Sequence, residues 1–191
     1  EAGYLGGSGI ASSYDSRGAL TREADLVVEL VLSYLRWRSD GDDPSVFVVA
    51  PHHIQRHEIQ KRLDAARSDP NNAQLFASTT AVNVINTVEK MQGQERDLVI
   101  VCYAGFDFNE PSELDFAYQR ERLNTGVSRA KKKCILLVDP KVLNPAIAVC
   151  ETAERQAGYE LLRRIKLSCE EGHPLHTDNG WIRLPRPANA N

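Results

Sequence analysis

No two cysteines of this chain stand at Cys-x-x-Cys spacing; Cys102, Cys134, Cys150 and Cys169 are scattered. That pattern excludes a disulfide scaffold, and with no secretory leader visible the thiols are expected to be reduced in an intracellular protein, nuclear or cytoplasmic. His52, His53 and His57 have no cysteine or carboxylate at zinc-site spacing, so no metal site is expected. No apolar run approaches the roughly 18 to 20 residues of a membrane span. The net charge of −3 and the pI near 6.0 exclude the global positive field of a free-standing nucleic-acid binder. Any nucleic-acid site must be local or shared with another domain. None of the 12 glycines precedes a lysine, so the Gly-x-x-x-x-Gly-Lys-(Ser/Thr) phosphate loop is missing. No Asp-Glu pair follows an apolar strand to hold a metal.

What is present is enough for one hydrophobic core: 191 residues, 42% of them apolar. Residues 1–18 are rich in Gly and Ser and read as a linker or loop. Ala24, Val27, Val28, Val31 and Leu35 recur at helical spacing and predict an amphipathic helix from Thr21 to Arg38. Ser45 to Ala50 is a short apolar run that reads as a buried strand, followed by a helix from His53 to Arg67. Strands are expected at Ala81 to Ile85, Asp97 to Ala104 and Lys133 to Val138, with a helix over Arg120 to Ala130. Apolar strands alternating with helices imply an α/β domain, a parallel sheet covered on both faces. Ligands in such sheets sit beyond the carboxyl ends of the strands. After Pro140, Ile147, Cys150, Ala153, Ala157, Leu161 and Ile165 allow one more helix, and the end of the chain reads as a poorly ordered tail.

Two segments carry chemistry. In Asn86-Thr87-Val88-Glu89-Lys90-Met91-Gln92-Gly93-Gln94-Glu95-Arg96-Asp97, Gly93 lets backbone approach a phosphate closely. Thr87 and Gln92 offer neutral hydrogen bonds there, and Glu95 can accept from a sugar hydroxyl. In Arg120 to Lys131, helical spacing puts Arg122, Gly126 and Arg129 on one face, with the small residue leaving room for a bulky anion. Lys131, Lys132 and Lys133 form the only dense basic run, either solvated or a phosphate contact.

The first segment resembles motif V of superfamily 1 helicases, and Arg122-Leu123-Asn124 followed by Ser128-Arg129-Ala130 resembles motif VI. Val49-Ala50-Pro51-His52-His53-Ile54-Gln55-Arg56 is similar to motif IV, with His52 where Tyr or Phe is usual. The matches run in family order over Val46 to Asp139 and look most like the up-frameshift-like group. The resemblance implies the second RecA-like domain, a P-loop NTPase-like three-layer α/β/α fold, over residues 19–145, with 146–191 a C-terminal helix and tail. It implies single-stranded RNA or DNA as track, 5′ to 3′ movement, and ATP with Mg2+ bound mainly by a first RecA-like domain. This segment alone is then not expected to hydrolyse ATP. Arg129 is implied as arginine finger, Arg56 as a second catalytic, phosphate-sensing arginine, and Gln55, Gly93, Glu95 and Arg122 as further nucleotide contacts. Asn86 and Thr87 are implied on the nucleic-acid strand.

Two other readings stay open. One is a non-catalytic RecA-like scaffold that binds protein or nucleic acid. The other is an isolated nucleotide hydrolase using Gly6-Gly7-Ser8-Gly9, which follows no expected strand.

Overall fold

Val46 to Val49, Leu98 to Tyr103 and Cys134 to Val138 are buried along their whole lengths. Successive strand side chains point to opposite sides, so runs like these need cover on both faces of the sheet. The computed structural model describes residues 2–6, 16–37, 45–77, 84–86, 90, 93–103, 106, 110–145, 151–168, 173–177 and 180–184. A five-stranded, all-parallel sheet has the order β1-β5-β4-β2-β3, formed by Ala2–Gly6 (β1), Val46–Val49 (β2), Val84–Asn86 (β3), Arg96–Tyr103 (β4) and Ala130–Val138 (β5). Helices Ser16–Trp37 (α1), His53–Ser68 (α2) and Ala73–Ala77 (α3) cover one face. Pro111–Ala117 (α4), Arg120–Ser128 (α5), Pro140–Leu143 (α6) and Ala153–Ser168 (α7) cover the other.

Alternation within the strands divides two cores. Val46, Val48, Leu98, Ile100, Cys102, Ile135 and Leu137 pack under α1 to α3, with Val27, Leu30, Ile59 and Leu63. Phe47, Val49, Val99, Val101, Cys134, Leu136 and Val138 pack under α4 to α7, with Leu114, Leu123 and Leu162. Each strand thus feeds both cores and leaves no face to water. Cys102 and Cys134 are buried and free of any disulfide, and burial raises the Cys102 thiol well above its ordinary pKa, with Glu23 adding to the effect.

Three expectations need correction. The Gly-rich first stretch is not all linker, because Ala2–Gly6 pairs in register with Cys134–Val138 and takes up the hydrogen bonds on the open side of β5. The C-terminal region contains an antiparallel hairpin, His173–Thr177 (β6) with Gly180–Leu184 (β7), where a tail is expected. The two residues between the paired strands, Asp178 and Asn179, are turn formers and so a hairpin signal in the sequence. Helix α5 ends at Ser128 rather than Ala130, since Ala130 pairs with Arg96 in the sheet and Arg129 turns the chain with φ −89° and ψ −2°. Lys131, Lys132 and Lys133 therefore lie in β5, and Lys132 stands 3.3 Å from Asp97.

Helices α3 and α4 were not foreseen. No described helix is long and apolar enough to cross a membrane. Thr87, Gln92, Ile147, Cys150, Cys169, Pro185, Pro187 and the run Gly7-Ser8-Gly9 lie outside the described residues.

Candidate functional site

The sheet has two chemically distinct edges. Neighbouring strands β2 and β4 send their following helices to opposite faces, α2 to one and α4 and α5 to the other, which makes their carboxyl ends a topological switch point. Past Val49 the chain turns at Ala50-Pro51 and enters α2 with the bond from Arg56 N to His52 O, 3.0 Å. The Arg56 guanidinium folds back to donate to Ala50 O at 3.0 Å and Pro51 O at 2.8 Å, and it lies 2.7 Å from His53 Nδ1. Those bonds satisfy the two carbonyls of the turn and fix a positive charge at the end of β2. The side chain of Gln55 is wholly buried between α1 and α2, donating to Glu23, while its Oε1 accepts from His52 N at 3.4 Å.

Beside this turn lies an aromatic cluster. His52 packs edge-on to Phe106 with ring centres 5.0 Å apart, and Phe116 of α4 lies 6.0 Å from both rings. The Arg122 guanidinium stands over the Phe116 ring at 3.9 Å, a cation–π contact that holds it flat. Arg122 also reaches the field of Tyr103: burial raises that phenol and the Arg122 charge opposes the rise.

His52 Nε2 is 3.3 Å from Glu113 of α4, yet it is buried without a hydrogen bond of good geometry. Burial lowers its pKa, Glu113 opposes this, and Arg56 adds to the lowering. The ring is therefore neutral at pH 7, and the contact is not an ion pair. Because the unfolded histidine, with a pKa of about 6.5, takes up its proton first, folding stability attributable to His52 is fully present above that value and declines as pH falls below it. Thermal melts between pH 7.5 and 5 are expected to show this decline, weakened in His52→Phe. An unchanged slope in the variant removes His52 from the acid response.

The amino edge is built differently. Gly93 has φ +77°, a left-handed conformation that L side chains rarely adopt, and no atom lies within 4 Å of where its Cβ would be. The backbone there is strained for any other residue but open to an incoming group. Glu95 is exposed beside it. Arg96 donates to Glu95 O at 2.9 Å and Gln94 Oε1 at 3.1 Å, while its backbone N donates to Arg129 O at 3.1 Å. Arg129 thus sits next to the Gly93–Glu95 loop. Its Nε is buried with no hydrogen-bond partner, and among the described residues no carboxylate pairs with it.

The structure brings Gly93, Glu95 and Arg129 together and leaves Arg56 and Arg122 at the other edge. Arg56 follows the carboxyl end of β2, whereas Arg129 precedes the amino end of β5. By strand pairing Val49 stands level with Val101 and Ala130 with Arg96, five residues apart on β4, or roughly 17 Å. The Gln55 amide is consumed inside the fold. Gly126 leaves no space for an anion between Arg122 and Arg129: it is buried, and a Cβ there would lie 3.3 Å from Val101 Cγ2, so it lets α5 approach β4. Asn86 pairs with Val49 and therefore stands at the carboxyl edge.

Sequence reasoning missed Arg96, Phe106, Glu113 and Phe116. Arg96 stands within the motif V segment without a role assigned to it, and the aromatics are isolated among polar residues after a strand, a signal too short for any periodicity. Among the described residues no cluster of His, Cys, Asp and Glu is placed to hold a metal ion.

Three layers around a parallel sheet define a RecA-like domain of the P-loop NTPase type. A family model described as AAA domain matches residues 11–141, more than half of the chain, and the chain belongs to that family. The family is that of the C-terminal domain of up-frameshift-like helicases, which makes this a helicase-like ATPase domain. No curated protein matches the chain.

Proposed function

We propose that this chain is the second RecA-like domain of a superfamily 1 helicase, with its amino edge on ATP and its carboxyl edge on a single strand of RNA or DNA. The first RecA-like domain of the same protein supplies the phosphate loop and holds most of the ATP and Mg2+. The observation that carries this reading is Arg129, whose half-buried side chain has no acceptor at Nε among the described residues and whose backbone adjoins the Gly93–Glu95 loop. A structural arginine is normally paired, and an arginine without a partner suits an anion brought by another domain.

When the domains close, water bonds to the γ-phosphorus as the bond to the bridging oxygen of the leaving ADP breaks. Negative charge spreads over the transferred group, and Arg129 donates to it. Gly93 keeps the loop backbone close to the nucleotide, and Glu95 accepts from the sugar. At the far edge, Asn86, Arg56 and Arg122 grip sugar and phosphate, a role Thr87 shares by its motif, and such contacts carry little sequence information. Closure driven by ATP at one edge then moves the strand held at the other.

The test compares Arg56→Ala with wild type in the full-length helicase, titrating single-stranded RNA and DNA while recording ATP hydrolysis. Loss of a charged contact to phosphate is expected to raise the strand concentration for half-maximal turnover about tenfold, with KM for ATP little changed. Loss of turnover at saturating strand instead would return Arg56 to the nucleotide and overturn the division between edges.

A further inference from the structure

We infer that α7 sets the geometry of the carboxyl edge through Arg155, a positioning residue acting on α4; the inference rests on the reading of that edge as strand-binding. Helix α4 spans only 7 residues, too short to hold its own shape or place, so its position is decided by what grips it. Arg155 grips it at two points, Nε donating to Asp115 Oδ1 at 2.6 Å and NH2 to Pro111 O at 3.1 Å. Its side chain is 10% exposed, so the pair is shielded on the arginine side. The helix carrying it is anchored in turn: Thr152 Oγ1 accepts from Arg155 N at 3.2 Å, Leu162 is fully buried, and Tyr159 meets Tyr118 edge-on at 6.4 Å.

Next to this bridge an open groove of about 870 Å3 runs beside α7 and the junction of α4 and α5, with Asp115 and Arg155 in its lining. What α4 presents on its other sides is the strand edge itself, Glu113 against His52 and Phe116 beneath Arg122. The chain of contact therefore runs Arg155, Asp115 and Pro111, then Phe116, then Arg122. Releasing α4 lets Phe116 shift, and Arg122 loses the ring that holds its guanidinium flat. No part of this path touches Gly93, Glu95 or Arg129 at the opposite edge. Residues 153–168 also lie beyond the matched family segment, so this support comes from outside residues 11–141.

The experiment measures, in the full-length helicase, binding of a fluorescein-labelled 15-nucleotide single strand by anisotropy, alongside KM for ATP and the thermal midpoint. Arg155→Ala and Asp115→Ala are each expected to raise Kd for the strand about tenfold, as loss of a charge-assisted bond does, with KM for ATP within about twofold. The double variant is expected to be no worse than Arg155→Ala, because that substitution already removes the bond to Asp115. Arg155→Lys, which keeps one donor to Asp115, is expected to recover part of the affinity. An unchanged Kd in Arg155→Ala while Arg56→Ala weakens binding overturns the inference and leaves the edge assignment standing. An unchanged Kd in both variants overturns the edge assignment and the inference with it. A parallel rise in Kd and KM for ATP with a lowered thermal midpoint in every variant, Arg155→Lys included, marks a merely structural bridge and also overturns it.

Discussion

Arg129→Ala is expected to lower strand-stimulated ATP hydrolysis of the full-length helicase by about 10³-fold or more, with single-strand affinity close to wild type. The size follows from where the charge acts. In a closed cleft the guanidinium faces charge that grows only as the γ-phosphoryl group leaves ADP, so it stabilises the transition state more than bound ATP. Affinity is expected to be spared because Arg129 lies at the amino edge, hydrogen-bonded through its carbonyl to Arg96, while the proposed strand contacts lie at the ends of β2 and β3. Arg129→Lys is expected to recover little, since a point charge lacks the planar fork and Nε is one of the donors left without a partner. Turnover unaffected by the alanine variant would instead mean that this domain is a scaffold.

The second large effect concerns stability. Gly158→Ala is expected to destabilise the domain by about 3 kcal/mol or more and to lower its thermal midpoint by roughly 6 to 12 °C. A Cβ at Gly158 would lie 1.7 Å from Tyr118 O, 2.6 Å from Tyr118 C and 2.9 Å from Tyr118 Cα. These are backbone atoms, and Tyr118 is held by its N–H to Leu114 O at 3.0 Å and its hydroxyl to Val142 O at 2.9 Å, so they have little freedom to retreat. Helix α7 must move off α4 and α5 instead. The sign is informative, because glycine to alanine within a helix otherwise stabilises by about 1 kcal/mol. A gain in midpoint would show that α7 does not pack against the Tyr118 turn.

These two residues illustrate different degrees of legibility. Arg129 is readable because its motif is local: Arg122, Leu123, Asn124, Ser128 and Ala130 surround it in fixed order. Gly158 is not, because the need for glycine comes from Tyr118, distant in sequence, and helical periodicity alone makes Gly158 a weak point. Phe116 and Glu113 were missed for a related reason, as a short helix entered at Pro111 offers no repeating pattern and gains its place from distant partners, the core around Leu114 and the bonds from Arg155.

The sequence by itself determined the α/β class, through apolar runs too continuous for a sheet with a wet face, and the segments around Gly93, Glu95 and Arg129, through the order of residues within each. It also places the arginines: Arg56 follows a strand and Arg129 precedes one, so in a parallel sheet they belong to opposite edges. Only the tertiary structure decided that Gln55 is spent on Glu23 inside the fold, that residues 2–6 complete the edge of β5, and that Arg122 is held by Phe116. Each of those outcomes depends on which distant group arrives to satisfy a donor, an open strand edge or a charge. Local spacing fixes the faces of a helix or strand, but those partners are set only when the layers pack.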